Sequence, residues 1–277
     1  MRALILSIGG LRGAYEAGVA SALCRKLGSK YFDAIYMSSV GSFNGTFYAA
    51  NQPDVIEDVW RNYVSGNQLV NYFNPFKGRA ILDLEYLIDL FQSEKLRLNL
   101  DEIFNSGIKL HYVVENLKTG LPKYIEPTRE NIFDLLRASS AVPIIHGPVA
   151  LNGIKYVDGS LVDPLPFKRA LEDGYNELVL IYNKPKGFFV GRAYKIFVRI
   201  FSLFVPKAIG RRMLNLEHLY KNIEKELESN NNIMVIRPNF PLHFLMLERN
   251  KKKINQAFNA GLKDGYKAAE KILRLKN

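Results

Sequence analysis

The chain has 277 residues, 48% of them hydrophobic, which suffices for a sizeable core within one α/β fold. A single cysteine, Cys24, excludes an internal disulfide and fits a reducing compartment, and no uninterrupted apolar run reaches transmembrane length. The net charge of 38 − 27 = +11 favours anionic partners, namely phospholipid surfaces, nucleic acid or acidic protein.

Residues 3–8, Ala-Leu-Ile-Leu-Ser-Ile, predict an N-terminal strand too short for a signal peptide. The strand runs into Gly9-Gly10-Leu11-Arg12-Gly13, and residues 14–27 then read as a helix stopped by Gly28. A glycine-rich turn between strand and helix offers bare backbone N–H groups to an anion. It is not a nucleotide loop of the G-x-x-x-x-G-K-[ST] or G-x-G-x-x-G kind. Residues 32–37 predict a second strand, followed by Ser38-Ser39-Val40-Gly41 and a buried helix over 43–50. Strand, tight turn, helix is the setting of a nucleophile elbow, with Ser39 at its tip and Gly41 two residues on. Taken alone, the string equally describes an ordinary strand–helix turn.

Further along, a helix starts at Asp54, with Val55, Val59 and Trp60 as core contacts, and residues 67–78, rich in Asn, Tyr and Phe, predict a loop. Residues 82–91 are helical, apolar at Leu84, Leu87, Ile88 and Phe91. Strands are expected at 110–114 and 123–125 around a Lys118-Thr119-Gly120 turn, then a helix over 132–138. A strand over 155–157 leads to Asp158-Gly159, a helix covers 165–171, and a buried strand 178–182. The alternation predicts a three-layer α/β sandwich with a largely parallel sheet.

Three stretches in order, Ile8-Gly9-Gly10-Leu11-Arg12-Gly13, Met37-Ser38-Ser39-Val40-Gly41 and Asp158-Gly159-Ser160, resemble the motifs of the patatin-like phospholipase family. That family has a G-G-G-x-R-G oxyanion loop, a G-x-S-x-G nucleophile and a D-G-G or D-G-A aspartate. Arg137-Ala138-Ser139-Ser140-Ala141-Val142-Pro143 and Asp163-Pro164-Leu165-Pro166 also look like it. The likeness covers about residues 1–182 and more loosely the bacterial-type remainder. Ile8, Met37 and Ser160 depart from the pattern.

The resemblance implies a lipid acyl hydrolase of phospholipase A or lysophospholipase type, working without a cofactor or metal through a Ser39–Asp158 dyad. Phospholipid or lysophospholipid is the expected substrate, an anionic membrane surface the expected partner, and no nucleic acid is expected. The expected place is cytoplasmic, peripheral on the inner face of a membrane. Oxyanion or substrate-binding groups are expected from Gly9, Gly10, Leu11, Arg12 and Gly13, and from the Val40 N–H. Ile8 is expected to point into the sheet, and Met37 to crowd the elbow or narrow the acyl site. The alternative is an impaired relative that binds lipid or membrane without turnover. Of His111, His146, His218 and His243, none lies in a motif that aims it at Ser39; His146 is read as a loop histidine.

Residues 1–277 are read as one domain, with the motif-bearing core at about 1–182, a basic apolar helical segment at about 187–216 and a C-terminal helical tail at about 250–277. Between Leu178 and Leu216 there is no acid and there are eight cations: Lys184, Lys186, Arg192, Lys195, Arg199, Lys207, Arg211 and Arg212. On a helix over 192–205, Arg192, Lys195, Arg199 and Ser202 share one stripe. That pattern suits an interfacial membrane helix and equally a core helix with one solvated edge. The tail is expected to pack Ile254, Phe258, Leu262 and Tyr266 inward.

Overall fold

Short apolar runs become the strands, and they are buried on both faces because helices cover the sheet twice. A computed structural model describes residues 1–143, 145–188, 196, 198–200, 202, 203, 205, 207–230, 232–242 and 246–275. Its sheet contains β1 (Arg2–Leu6), β2 (Ala34–Ser38), β3 (Lys109–Asn116), β4 (Pro122–Ile125), β5 (Val149–Leu151), β6 (Ile154–Asp158), β7 (Glu177–Ile181) and β8 (Ile233–Ile236). The order is β5-β6-β3-β2-β1-β7-β8, with β4 also paired to β3. β3, β2, β1, β7 and β8 are mutually parallel; β4 and β6 join β3 antiparallel, and β5 joins β6 the same way.

Successive side chains of β1 feed opposite layers, as the pleat requires. Leu4 and Leu6 pack with α1 (Gly13–Leu27), α2 (Val40–Ala49) and the C-terminal helix. Ala3 and Ile5 pack on the other face with Phe167 and Ala170 of a short helix, and with Leu216, Tyr220, Ile223 and Leu227 of a long one. The remaining α-helices are α3 (Pro53–Asp58), α4 (Leu84–Gln92), α5 (Leu100–Asn105), α6 (Ile132–Ser139), α7 (Phe167–Glu172), α8 (Lys207–Ser229) and α9 (Lys251–Arg274). α5, β5 and β8 were not expected from the sequence, and α8 runs beyond the helical segment expected to end at about residue 216. Short or mixed segments such as Val149–Leu151 carry too little periodicity to stand out.

α9 docks on α1 through small residues. An added Cβ at Gly18 would overlap the Phe258 carbonyl, and one at Gly261 the Tyr15 carbonyl. The stripe α9 buries is Ile254, Ala257, Phe258, Gly261, Gly265, Ala268, Ala269 and Ile272; Leu262 and Tyr266 are only half-buried.

The basic segment divides. Arg192 and Lys195 lie outside the described residues, as does much of the expected helix over 192–205, while Arg199 is exposed. Two of the eight cations, Lys184 and Arg212, are engaged within the fold, and a third, Lys186, forms an exposed surface pair. Lys186 pairs with Glu228 at 3.0 Å, and Arg212 pairs with Glu115 of β3. Lys184 is buried among the rings of Tyr182, Phe188 and Tyr220, at 5.0, 5.6 and 4.4 Å. Burial, then the Arg12 charge, lower its pKa to about 7.

Candidate active site

β2 ends at Ser38, and Ser39 is the turn that starts α2. Its φ of 54° and ψ of −129° are costly for a side-chain-bearing residue, so the surroundings must hold it there. They do so through α6. Ser139 Oγ accepts the Ser39 N–H at 3.1 Å and sits 2.5 Å from Ser42 Oγ. The elbow also needs close approach of α2 to β1: a Cβ at Gly41 would meet the Ser7 carbonyl at 2.8 Å. Met37 does not crowd the acyl site, contrary to the sequence expectation. It is fully buried beneath α2, where Gly45 leaves room for its sulfur.

Asp158 reaches the elbow by sheet register. β3 continues past the end of β2, and β6 pairs with that extension in the opposite direction. Ser38 is level with Val113, and Asp158 is level with Val114 on the same edge of β3, since β4 occupies the opposite edge at both residues. The end of β2 and the end of β6 thus meet along one edge of β3, which brings the Asp158 carboxyl to the elbow. Gly159 lets the chain turn against β3, since a Cβ there would meet the Val113 carbonyl at 2.8 Å.

Asp158 is fully buried, and Ser160 N–H donates to its Oδ1 at 2.7 Å. Burial raises its pKa to about 6, against the lowering effects of the Ser39 hydroxyl and of Ser160. Its Oδ2 has no partner of good hydrogen-bond geometry among the described residues, so the Ser39 contact is a loose one. Such contacts tighten when substrate binds.

The histidines are elsewhere. His111 stacks on Tyr36 at 4.2 Å, His146 Nδ1 lies 2.7 Å from the Gly147 carbonyl, and His218 is exposed on α8. His243 lies outside the described residues.

The glycine loop is a 3₁₀ turn, Gly10–Arg12, with Gly10 at φ 56°. Here the structure narrows the expected set. The Leu11 N–H donates to the Met246 carbonyl at 2.8 Å, and the Arg12 N–H to the Gly9 carbonyl at 3.2 Å. The N–H of Gly13 is likewise engaged, by the carbonyls of Gly10 and Leu11. Leu11 is therefore not an available donor in this conformation; Gly9, Gly10 and Val40 remain. Ile8 does not turn into the sheet either: it lines the cavity beside Ser39, and its carbonyl accepts from Asn183 at 2.6 Å.

Behind the loop lies a buried polar network that sequence reading missed. Glu16 Oε2 accepts from the Ser7 N–H at 2.7 Å, and Oε1 accepts from Asn44 of α2 at 2.9 Å. Asn44 accepts from Trp60 in turn at 2.9 Å. Burial raises the Glu16 pKa to about 8 despite these bonds. One acid among Ala14, Tyr15, Ala17 and Val19 was the available signal.

Ser39 opens on a cavity of about 250 Å³ with apolar walls, among them Phe43, Trp60, Leu84, Leu87 and Phe91. The predicted apolar face of α4 thus builds part of a binding wall. Ser140 and Ser160 also border the cavity, and Met246 and Leu247 close one side.

A sequence model described as patatin-like phospholipase matches residues 4–171, a span holding both Ser39 and Asp158. The chain belongs to the patatin-like phospholipase family. A second model, a domain of unknown function (DUF6363), matches residues 207–277, which form α8, β8 and α9 of this family member. The uncharacterized protein YjjU of Escherichia coli (strain K12) is 28% identical over 253 residues, 88% of this chain and 70% of that protein. The crystal structure of VipD from Legionella pneumophila superposes with a TM-score of 0.51 at 13% identity, covering 98% of this chain and 67% of that one. That likeness is one of fold. No helix of the described residues is long and apolar enough to cross a membrane.

Proposed function

We propose that this patatin-like protein is a serine-dependent carboxylic ester hydrolase acting on phospholipids or lysophospholipids. The observation that carries the reading is Ser39, held at a strained elbow beside the fully buried Asp158 and open to an apolar cavity. Asp158, ionised above its raised pKa, takes the proton as Ser39 Oγ bonds to the acyl carbonyl carbon. The N–H groups of Gly10 and Val40 receive the oxyanion; one such donor is worth about 2.7–4 kcal/mol. The carbon–oxygen bond to the alcohol breaks, and Asp158 returns the proton to the leaving oxygen. Water then attacks the acyl-serine with Asp158 again as base, the acyl–Oγ bond breaks to release the acid, and Asp158 returns the proton to Ser39 Oγ. The cavity takes the acyl chain, and apolar walls fit that role at about 0.8 kcal/mol per buried methylene.

The test is labelling with a fluorophosphonate, together with hydrolysis of a soluble short-chain ester. Wild type is expected to react in both, and Ser39→Ala in neither. A wild type that binds lipid but does neither is the impaired, lipid-binding relative and overturns the catalytic reading.

A further inference from the structure

We propose that the loop over residues 71–81 is the part of this protein that docks on an anionic phospholipid bilayer, with Phe73 and Phe76 inserted below the head groups. This rests on the lipid-ester reading and names the surface that would present the substrate.

The loop is a closed, well-held excursion. Val70 bridges Leu82 at its base, and the Asn71 N–H donates to the Ile81 carbonyl at 2.9 Å. Leu69 and Leu82, the residues flanking that base, line the catalytic cavity, so the loop springs from the cavity wall. At the tip a 3₁₀ turn spans Asn74–Lys77, ending at Gly78 with φ 68°. Buried Asn74 holds the turn by donating to the Ala80 carbonyl at 2.9 Å. One flank is tied down: Tyr72 Oη donates to the Leu247 carbonyl at 2.9 Å, and the Arg249 guanidinium lies 4.9 Å from the Tyr72 ring centre. Leu247 itself lines the cavity.

This rigid base presents Phe73 at 70% and Phe76 at 88% exposure, the latter the most exposed large hydrophobic side chain among the described residues. Nothing in the fold requires two such rings at a turn, since Asn74 and Gly78 supply its geometry. Water-facing rings leave unclaimed the favourable transfer of a phenylalanine out of water. Residues 66–80 contain no acid, and Lys77 and Arg79 stand exposed beside the rings. Arg79 leans on Asp83 at 3.3 Å, whereas Lys77 has no acidic partner within 4.0 Å among the described residues. Aromatic rings flanked by cations match the acyl–phosphate boundary of an anionic leaflet. The charge of the whole chain, +11, points the same way. An acidic protein partner would meet the cations but leave two protruding rings to find pockets.

The experiment uses the full chain and two vesicle types: phosphatidylcholine alone, and phosphatidylcholine mixed with phosphatidylglycerol. Wild type should float with the mixed vesicles and bind pure phosphatidylcholine at least tenfold more weakly. Phe73→Ser/Phe76→Ser should bind mixed vesicles at least tenfold more weakly than wild type while hydrolysing a soluble short-chain ester at the same rate. Lys77→Gln should lose about fivefold on mixed vesicles only, the contribution of one surface cation. In Phe76→Trp, tryptophan emission should shift blue on adding mixed vesicles. Wild-type-like vesicle binding by the double serine variant overturns the proposal, as does equal binding of wild type to both vesicle types. A wild type inactive on the soluble ester, yet losing vesicle binding on the double substitution, sinks the hydrolase reading and leaves the docking surface standing.

Discussion

Asp158→Asn should make the protein more stable at the pH where it abolishes activity. The carboxyl is fully buried, and burial lifts its pKa from 3.8 to about 6. The native state therefore holds the proton more tightly than the unfolded chain does. As pH rises from about 4 to about 6, the unfolded aspartate is already ionised while the native one resists, so wild-type stability falls across that window. At 1.36 kcal/mol per pH unit, the roughly 2-unit displacement corresponds to about 3 kcal/mol. An amide keeps an oxygen to accept the Ser160 N–H and carries no charge to desolvate. Urea denaturation of both proteins at pH 4 and pH 8 isolates the effect, because contributions from Glu16 and Lys184 cancel in the difference, and relief of the Asp158 charge on Glu115 acts in the same direction. The stability difference in favour of the variant should grow by about 3 kcal/mol between the two pH values, while ester hydrolysis at pH 8 drops by orders of magnitude. A pH-independent difference, or a variant less stable at pH 8 than at pH 4 relative to wild type, would refute the buried-base argument.

The acid limb of kcat/KM should follow the same group, falling about tenfold per pH unit below about pH 6 in wild type. His146→Ala should keep most activity, since its ring lies against the Gly147 carbonyl; a folded but dead variant would point to a triad. Gly10→Ala should lower kcat more than it raises KM, because the residue sits at φ 56° with Met246 against the site of the new Cβ; a pure KM effect would mean the loop only binds substrate. Ser139→Ala leaves the Ser39 N–H without its acceptor and should cost about 1–3 kcal/mol of stability, read as a shifted denaturation midpoint, together with a lower kcat. Gly261→Val should destabilise by about 3 kcal/mol, because its Cβ would meet backbone of α1 that cannot step aside; an unchanged midpoint would disprove the close crossing.

Residues acting within a short window were legible in the chain itself. Apolar spacing at Leu84, Leu87, Ile88 and Phe91 specified the inner face of α4, since helical period is a local property. Strand, small residues and helix around Ser39 announced the elbow for the same reason, and the glycine loop was visible because only backbone freedom was at issue. Tertiary structure decided the rest, because it depended on partners far along the chain. Asp158 meets Ser39 only through the register by which β2 and β6 follow one another along one edge of β3. The Leu11 N–H is lost as an oxyanion donor because Met246, from the other end of the chain, takes it. Met37 lies clear of the cavity because Gly45 makes space above it, and Ile8 faces the cavity because the chain has already left the sheet there. Lys184 and Arg212 looked like part of a free basic run; burial and the acid Glu115 took them out of it, while Lys186 stays on the surface beside Glu228. Charge in a sequence is a count, whereas a charge that can act on a partner is one the fold has left in water.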